Sequence, residues 1–578
     1  MILRSTPVRM RRPKCLGPAH GVKRLPGSLL MSRPTSSHQI SRYGAPAVSI
    51  TSAVILLMGI LPTFAEDVFN GHKVVLDNQN KIVPWPTPVE KAYDRFLRLR
   101  WNFIKTRVPH CPGPPARSSY PQYYFYCAFR DKNGVLEPDT WMNDVGEKIP
   151  NWFESARLYY AYSGDASVMA IVKNLVAYAL EHGTSASTFA WPNLPYTTTN
   201  AGDMDFRGFT NSKKLVLHEV QVDHAGDMGL TYYRLYLFTG EKKFLTGATN
   251  VANTLAAKAR TGDVAHSVWP YRVVMDTGRV TAEYAANWTG AYLLLDGLIK
   301  ANLGNVRAYE NARAKARDFM LRFPLQTGYW TDGHTDTDVN SNTYKSNMSA
   351  SNFTLFLFDH PEVDPEWKAD VPKLIKWTED NFVYRCAPGE PSTQWGANIV
   401  GEQDGFLVKM DYQTARYAAE CARWYAVSGD ESYKEKAFRS LNWVTYCNNS
   451  VGQAFESPVS KDISNWWSDC YGECPRMFYH AFAAVPEWAP PRENHILYSE
   501  GVLKDVAYAP QKVRYSPTND AGTEYLRLAF RPTRITVKGI RLPLRPDLDA
   551  EGYTARDLGN GDLAVNIRRT RRGEVFIQ

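Results

Sequence analysis

The sequence has few cysteines and gives them no metal-binding spacing. Eight cysteines occur in 578 residues, and seven of them follow residue 65. No set of them shows the spacing of a structural zinc site, so a zinc-stabilised fold is not expected. In an exported chain Cys470 and Cys474 are close enough in sequence to pair, and an odd total leaves at least one thiol free or paired between chains.

The folded part of the chain also lacks an excess of positive charge. Residues 1–65 contain nine Lys or Arg and no Asp or Glu, so the formal net charge of +8 for the whole chain becomes −1 for residues 66–578. Nucleic-acid binding needs a basic face on the folded part of a protein. We therefore expect no nucleic-acid partner.

Residues 1–65 have the features of a leader that ends in a signal peptide. The segment from Ala45 is apolar and ends in Thr63-Phe64-Ala65, with small residues at positions −3 and −1 of a cleavage site before Glu66. The apolar run is too short for a clear transmembrane helix. The sequence predicts a secreted or periplasmic protein that is cleaved after Ala65 and then has no stable membrane insertion; an uncleaved signal anchor is the alternative.

A short motif recurs three times where a helical pattern ends. The pattern Tyr-x-x-[Ser/Thr]-Gly-[Asp/Glu] spans Tyr160–Asp165, Tyr236–Glu241 and Tyr425–Asp430. Glycine in the left-handed conformation commonly ends a helix, and an acidic residue after it can cap the next helix. The motif therefore predicts tight helical hairpins.

Apolar periodicity around these turns predicts twelve helices. Short turns alternate along the chain with long loops, and long ordered loops often carry function. The predicted helices span residues 88–107, 152–162, 166–182, 216–238, 242–260, 281–303, 306–323, 346–358, 366–383, 411–427, 431–446 and 466–484.

Twelve helices in successive hairpins, joined by this turn motif, resemble the six-hairpin glycosidase-like (α/α)6 toroids over roughly residues 85–485. The motif marks the hairpin turn and not a catalytic pair, so it points to no single family within that superfamily. The resemblance implies a catalytic domain over residues 66–485, with carbohydrate chemistry in a cleft that the long loops line.

The character of the sequence changes after residue 485. Prolines in residues 486–494 cannot continue a helix, and this segment is predicted to be a Pro-rich linker. Apolar residues then alternate with polar ones over residues 495–578, which indicates strands. The predicted fold class is therefore mostly α, an (α/α)6 toroid followed by a small C-terminal β-sandwich-like domain.

The segment from Leu215 to Gly240 carries an unusual stripe of acids. Glu219, Asp223 and Asp227 are spaced at i, i+4 and i+8, and like charges at that spacing destabilise a helix. Acids near a helix N-terminus do interact favourably with its dipole, so a capped helix end is the alternative to a site. Asp227, deeper in the helix, is predicted to be a paired structural acid.

Cleavage of a glycosidic bond uses two carboxyl groups, one protonated and one ionised. The preferred catalytic pair is Asp223 with either Glu402 or Asp404, because these acids come from different hairpins and could face each other across the ring. Asp144 and Glu219 are further candidates. Helix caps and loop salt bridges use the same residue types, so a structural role stays open for each.

Aromatic residues accompany these acids and could form sugar subsites. Rigid aromatic faces bury the apolar C–H faces of sugars at low entropy cost, although aromatics dominate cores as well. We expect substrate contacts from Trp395, Trp466, Trp288 and Tyr124.

Two basic residues complete the predicted binding set. His224 stands beside the acidic stripe, but the HEVQVDH sequence does not match the HExxH zinc motif, so it is expected to orient a carboxylate. In a lyase, His224 or a tyrosine would accept the proton next to a uronic acid, and Arg207 or an amide such as Asn287 would neutralise the substrate carboxylate.

One loop could hold a hard cation. Asp332, Asp336 and Asp338 lie in DGHTDTDVNSN, with oxygen ligands at spacings that suit calcium. The loop lacks the glycine and the final glutamate of an EF-hand, which favours an Asx-turn-rich surface loop over a calcium site. The sequence otherwise predicts no metal and no cofactor.

These features favour a secreted or periplasmic glycoside hydrolase that acts on an oligo- or polysaccharide. Three alternatives stay open: a polysaccharide lyase acting on a uronic-acid polymer, a sugar epimerase, and a non-catalytic glycan-binding protein. The predicted export argues against the epimerase, because sugar-nucleotide metabolism is intracellular. The sequence gives no prediction of oligomeric state.

Overall fold

The computed structural model describes residues 68–111, 113–119, 124, 128–132, 135–138, 144–199, 206, 210–211, 214–331, 345–388, 392–403, 407–457, 466–467 and 469–578. All of these belong to one compact unit, Ala65–Gln578. The leader and its cleavage site lie outside the described residues, so export stays a prediction. Within the described part of the chain, no helix combines the length and apolar character needed to span a bilayer.

The described residues form twelve helices of eleven or more residues, in agreement with the number predicted from periodicity. They are α1 Ala92–Thr106, α2 Val145–Ser163, α3 Ser167–His182, α4 Val222–Thr239, α5 Lys242–Lys258, α6 Thr289–Lys300, α7 Val306–Arg322, α8 Asn347–Asp359, α9 Trp367–Phe382, α10 Asp411–Ser428, α11 Glu431–Thr445 and α12 Cys474–Ala484. Single-turn helices lie at Pro115–Ser118, Pro324–Thr327 and Asp469–Gly472.

The even-numbered helices form a closed inner ring. Each of α2, α4, α6, α8, α10 and α12 contacts the next, and α12 contacts α2 again. The inner helices are buried on nearly all sides, whereas an outer helix such as α7 buries only one stripe. A helix that is apolar on one stripe belongs at the surface of a core. The predicted (α/α)6 toroid is therefore confirmed.

Hydrogen bonds and backbone angles explain the residues that recur in the hairpin motif. Gly164, Gly240 and Gly429 adopt φ values of 77°, 77° and 72°, and their N–H groups donate to the carbonyl of the tyrosine four residues earlier. The Ser or Thr hydroxyl then accepts from the N–H of the acidic residue, as Ser163 Oγ does from Asp165 at 3.1 Å. Glycine is favoured because L side chains rarely adopt this positive φ.

The predicted helix over residues 216–238 begins too early. Residues Glu219–Gln221 form strand β1, which pairs antiparallel with β2 (Arg272–Val274), and β2 pairs with β3 (Arg279–Ala282). The helix starts only at Val222. Glu219 is therefore not on the same helix as Asp223, because ladder hydrogen bonds hold its backbone extended.

The described residues also form two two-stranded sheets and one three-stranded sheet. They join Val68–Phe69 with His72–Lys73, Thr210–Asn211 with Lys214–Leu215, and Ala128–Lys132 with both Val135–Pro138 and Trp466–Trp467. Most belong to connections that lead from an outer helix into an inner one, which are the long connections of the ring.

The C-terminal region consists of two antiparallel sheets. Their strands are β4 His495–Ser499, β5 Leu503–Ala509, β6 Lys512–Pro517, β7 Gly522–Leu528, β8 Ile535–Val537, β9 Ile540–Arg541, β10 Gly552–Gly559, β11 Asp562–Arg569 and β12 Val575–Ile577. One sheet has the order β4-β7-β11-β10 and the other β5-β6-β12-β8-β9. Buried apolar residues alternate along the strands, as the sequence pattern predicted.

This β region packs directly against the ring. Strand β4 contacts α2 and α12, His495 bonds to the Tyr162 carbonyl at 2.8 Å, and Arg157 donates to the Ser499 carbonyl at 2.8 Å. The segment predicted as a linker contains a 3-10 helix, Pro486–Trp488. The predicted domain boundaries themselves stay a prediction.

The six cysteines among the described residues form no disulfide: Cys111, Cys386, Cys421, Cys447, Cys470 and Cys474. All except Cys386 are buried. Burial raises the pKa of Cys421, Cys447 and Cys474 well above its ordinary value, so these thiols stay protonated and unreactive.

We predict that Arg100→Met destabilises the ring much more than loss of a surface ion pair. Arg100 of α1 and Asp411, the first residue of α10, are 1% and 0% exposed and lie 2.9 Å apart. Removing the guanidinium leaves a buried carboxylate unpaired, which costs about 3–5 kcal/mol. Denaturant unfolding followed by circular dichroism measures the loss.

Lys376→Met is the matched control, because Lys376 and Asp380 form a 2.8 Å pair on the exposed face of α9. An exposed pair contributes about 0–1 kcal/mol. Equal losses from the two substitutions would show that the Arg100 pair does not hold α1 to α10.

Candidate active site

The six inner helices begin at the same end of the ring. Connections from an outer to an inner helix are long, whereas those from an inner to an outer helix are short turns. Helix N-termini carry partial positive charge from unpaired N–H groups. The end where the long connections gather is therefore the place where ionised acids are best stabilised.

A cavity follows the axis of the ring. Five inner helices line it, and Tyr498 of β4 with the adjacent Glu500 closes it at the C-terminal ends of these helices. Its polar lining comprises Glu147, Asn151, Glu154, Arg157, Asp223, His224, Asp227, Thr231, Arg234, Asn287, Thr289, Ser349, Asn352, Asp359, His360, Arg476, His480, Tyr498 and Glu500.

Acids and one histidine cluster at the N-terminal end of this cavity. His224 Nδ1 lies 3.4 Å from Asp144 Oδ1 and 3.2 Å from Gln221 Oε1. The Gln221 amide in turn lies 3.5 Å from Asp144 Oδ2 and 3.2 Å from the Tyr271 hydroxyl. Asp223 Oδ1 accepts from the His224 backbone N–H at 2.9 Å. These contacts hold the imidazole against the Asp144 carboxylate and the backbone of His224 against the Asp223 carboxylate.

The imidazole of His224 stays protonated in this setting. Burial acts to lower the pKa of His224, but the carboxylates of Asp223 and Asp144 outweigh it and raise that pKa well above its usual value. An opposite charge nearby favours the charged form of a group. His224 is therefore a fixed cation beside Asp223, not a base.

Asp227 is the most perturbed acid of the cluster. Burial raises the pKa of Asp227 to about 7, and the negative charges of Asp223 and Glu147 add to that effect against His224 and Arg476. A carboxyl group with this pKa is largely protonated at mildly acidic pH. The site thus contains a carboxyl group with a strongly raised pKa, that of Asp227, one helical turn from Asp223.

Glycines make room for the Asp227 carboxyl. A methyl group added to Gly290 at the start of α6 would collide with Asp227 Oδ1, and one added to Gly226 would lie 2.9 Å from Ala291 Cβ. Helices α4 and α6 therefore approach closely enough for Asp227 to pack on the α6 backbone. That approach takes its carboxyl group away from bulk solvent.

The far end of the cavity is neutralised by ion pairs. Glu154 lies 2.7 Å from Arg234 and pairs with Arg157, and these guanidinium groups overcome burial and lower the pKa of Glu154 to about 2. Burial lowers the pKa of His480 to about 3. Neither of these two groups can supply a proton near neutral pH.

Of the predicted catalytic acids, Asp223 and Asp144 come together at His224, while two others lie elsewhere. Glu402 is 4% exposed and accepts from the Tyr412 hydroxyl at 3.2 Å, and it does not line the cavity. Glu219 is buried beside Thr281 in the β1–β3 sheet, and burial raises the pKa of Glu219. Asp404 lies outside the described residues.

Three of the predicted aromatic subsites, Trp288, Tyr124 and Trp395, do not line the cavity. Trp288 is 1% exposed and packs on Trp269 with ring centroids 5.2 Å apart. Tyr124 is fully buried against Trp152, with centroids 3.9 Å apart. Trp395 is partly buried against Phe69.

Several predicted residues lie wholly or partly outside the described part of the chain. Arg207 and the loop with Asp332, Asp336 and Asp338 are not described, and only the backbone of Trp466 is. Within the described residues, no group of three or more His, Cys, Asp or Glu could hold a metal ion. The calcium prediction is therefore untested.

Sequence reasoning assigned Asp227 a structural role and missed its place in the cavity. The signal was present in the Ala225–Gly229 stretch, AGDMG, where Ala225 and Gly226 precede the acid and Gly229 follows it by two positions. Small residues at helical spacing indicate close helix approach. Glu147, another acid that the sequence reasoning missed, lines the cavity from α2 and pairs with Lys148 at 3.1 Å.

Comparisons with known proteins assign no family to this chain. No protein-family model matches the chain, and no curated protein matches it in sequence. A cellobiose 2-epimerase from Spirochaeta thermophila aligns at 9% identity and TM-score 0.46, covering 69% of this chain and 99% of the epimerase.

Two hydrolases align similarly. An unsaturated glucuronyl hydrolase specific for heparin shows 10% identity and TM-score 0.42, over 69% of this chain and 97% of that one. An alpha-1,2-mannosidase from Trichoderma reesei shows 10% identity and TM-score 0.41, over 68% and 92%. Identities this low do not assign an activity.

We predict that Asp227 makes stability pH-dependent. Its pKa rises from about 3.9 in the unfolded chain to about 7 in the folded chain. Folding therefore takes up a proton between these values, and the stability associated with neutral Asp227 is complete at pH 4 and lost as the pH rises through 7. The wild type should lose several kcal/mol over this range relative to Asp227→Asn.

The measurement is the difference in unfolding free energy between wild type and Asp227→Asn from pH 4 to 8. Asp380→Asn, a change of an exposed acid on α9, serves as the control and should show little dependence. A wild-type minus Asp227→Asn difference that stays constant with pH would mean that Asp227 is ionised throughout.

Proposed function

We propose that this protein is an exported glycoside hydrolase whose reaction takes place at the N-terminal end of the ring cavity. The observation that carries the proposal is that Asp223 and Asp227, one turn apart on the same face of α4, both line the ring cavity and that the pKa of Asp227 is raised to about 7. Glycoside hydrolysis needs one protonated and one ionised carboxyl group.

The environments of the two acids suit different roles. Asp223 lies in the first turn of α4, where the helix dipole and protonated His224 favour its anion. Asp227 lies one turn deeper against the α6 backbone, where burial favours the neutral acid. Titratable pairs with pKa values pushed apart are typical of acid–base sites.

The reaction follows from these protonation states. Asp227 donates its proton to the glycosidic oxygen as the bond from that oxygen to the anomeric carbon breaks. Asp223 stabilises the positive charge that develops on the sugar and takes a proton from the water that attacks the anomeric carbon. His224 positions Asp223 and keeps it ionised, and Asp144 holds His224 through the 3.4 Å contact.

The protonation state of His224 argues against the lyase alternative. A lyase needs a base to remove the proton next to a uronic acid, and the raised pKa of His224 leaves that imidazole without a free acceptor at neutral pH. The deep Arg157 and Arg234 are already paired with Glu154, so neither is a ready partner for a substrate carboxylate.

We predict that Asp227→Asn and Asp223→Asn each lower kcat by about 10²–10⁴-fold, the range for loss of a general acid or base. Wild-type activity should fall as the pH rises through about 7, because Asp227 then loses its proton. The assay is a glycan panel in which reducing ends and ultraviolet absorbance of unsaturated products are followed together.

Three outcomes would redirect the proposal. Absorbance from unsaturated products would identify a lyase, and binding without cleavage would identify a glycan-binding protein. Activity that survives Asp227→Asn but is lost in Glu402→Gln would restore the pairing of Asp223 with Glu402. Asp380→Asn on the outer helix α9 should retain wild-type activity.

A further inference from the structure

A second cavity lies where the ring meets the β region. Its volume is about 580 Å³, within the range of about 300–1,000 Å³ that is typical of ligand pockets, which often form at domain interfaces. One wall is made by α9 and by the C-terminal ends of α8, α10 and α12. The other is the face of the β4-β7-β11-β10 sheet. The catalytic proposal uses none of its residues.

The sheet wall presents a row of side chains from three adjacent strands. Tyr525 of β7 pairs in register with Asn566 of β11, which pairs on its other side with Thr554 of β10. Directly paired residues project from the same face of an antiparallel sheet. Ala564, opposite Arg556, is small and leaves depth in the cavity floor.

The helical wall presents aromatic faces opposite that row. Trp367, at the start of α9, is partly buried and packs edge-on to Phe358, with centroids 6.1 Å apart. The Tyr425 hydroxyl donates a hydrogen bond to Glu431 Oε1 at 3.0 Å. Val427, two residues later, is 42% exposed. Half-exposed aromatic rings on both walls suit flat ligands with apolar faces.

The polar groups of the cleft suit an uncharged ligand rich in hydroxyl groups. Asn566 and Thr554 line the sheet wall with neutral polar side chains that can both donate and accept hydrogen bonds. The charges are already balanced within pairs: Arg556 with Glu487 at 2.6 Å, and Arg423 with Asp359 at 2.8 Å. No unpaired charge in the cleft selects an ionic ligand.

We propose that this cleft is an accessory binding site for a neutral oligosaccharide segment. Trp367, Tyr425 and Tyr525 would cover the C–H faces of the sugar, and Asn566 would accept from one hydroxyl group and donate to its neighbour. The choice of a saccharide rests on the proposed function, whereas the cleft itself does not. Such a site would hold a polymer while the ring cavity acts on it.

The test is calorimetric titration of full-length Asp227→Asn protein, in which cleavage cannot consume the ligand, with cellohexaose, mannohexaose and xylohexaose. We expect a binding site that Trp367→Ala or Tyr425→Ala weakens at least tenfold. Tyr433→Ala, at a partly buried tyrosine of α11 outside the cleft, should leave it unchanged. Two cleft variants are used so that a folding defect in one does not decide the result.

Binding of none of the three hexaoses, or binding that neither cleft substitution weakens, overturns the accessory site. Wild-type turnover separates this result from failure of the proposed function. If glycans are cleaved but no cleft-sensitive binding is found, only the accessory site fails. If cleft-sensitive binding is found without cleavage of any glycan, the cleft stands and the hydrolase proposal fails.

Discussion

The close approach of α4 and α6 is the constraint on which the candidate site depends. Gly226 and Gly290 allow the two helices to pack so tightly that the Asp227 carboxyl lies on the α6 backbone. Removing a carboxylate from water favours its protonated form, and here the pKa of Asp227 rises to about 7. Asp223, one turn earlier on the same helix, meets the dipole and a protonated histidine instead. One helix thus places two aspartates in different environments, and the packing partner of that helix causes the difference.

The ring explains why Asp223, His224 and Asp227 lie at one end of the cavity. All six inner helices present their N-termini and their long connections there, while the β region covers the other end through Tyr498 and Glu500. Charges at the covered end are paired, as Glu154 is with Arg157 and Arg234, and breaking a buried pair is costly. The β region is therefore part of the cavity wall. Its packing against the ring also forms the second cavity, between the helices and the β4-β7-β11-β10 sheet.

Periodicity and the hairpin motif were sufficient to predict the helical hairpins, because each Tyr-x-x-[Ser/Thr]-Gly-[Asp/Glu] turn depends on hydrogen bonds between residues close in sequence. The closed ring was predicted from the resemblance to six-hairpin toroids. The site was harder to predict. Asp223, Asp144 and His224 do meet, but Glu219 belongs to a strand held by partners about fifty residues away. Trp288 was predicted to contact substrate and is in the core. Asp227 resembled a structural acid because the glycine that makes its environment, Gly290, lies on another helix.

Infrared difference spectroscopy of the carboxyl groups tests the central claim most directly. Spectra of wild type and Asp227→Asn recorded from pH 5 to 8 should differ by one protonated-carboxyl band, and that band should disappear with a midpoint near pH 7. No such difference, or a midpoint near 4 as for an ordinary aspartate, would show that Asp227 is ionised in the folded protein. The acid–base assignment within the ring would then be wrong.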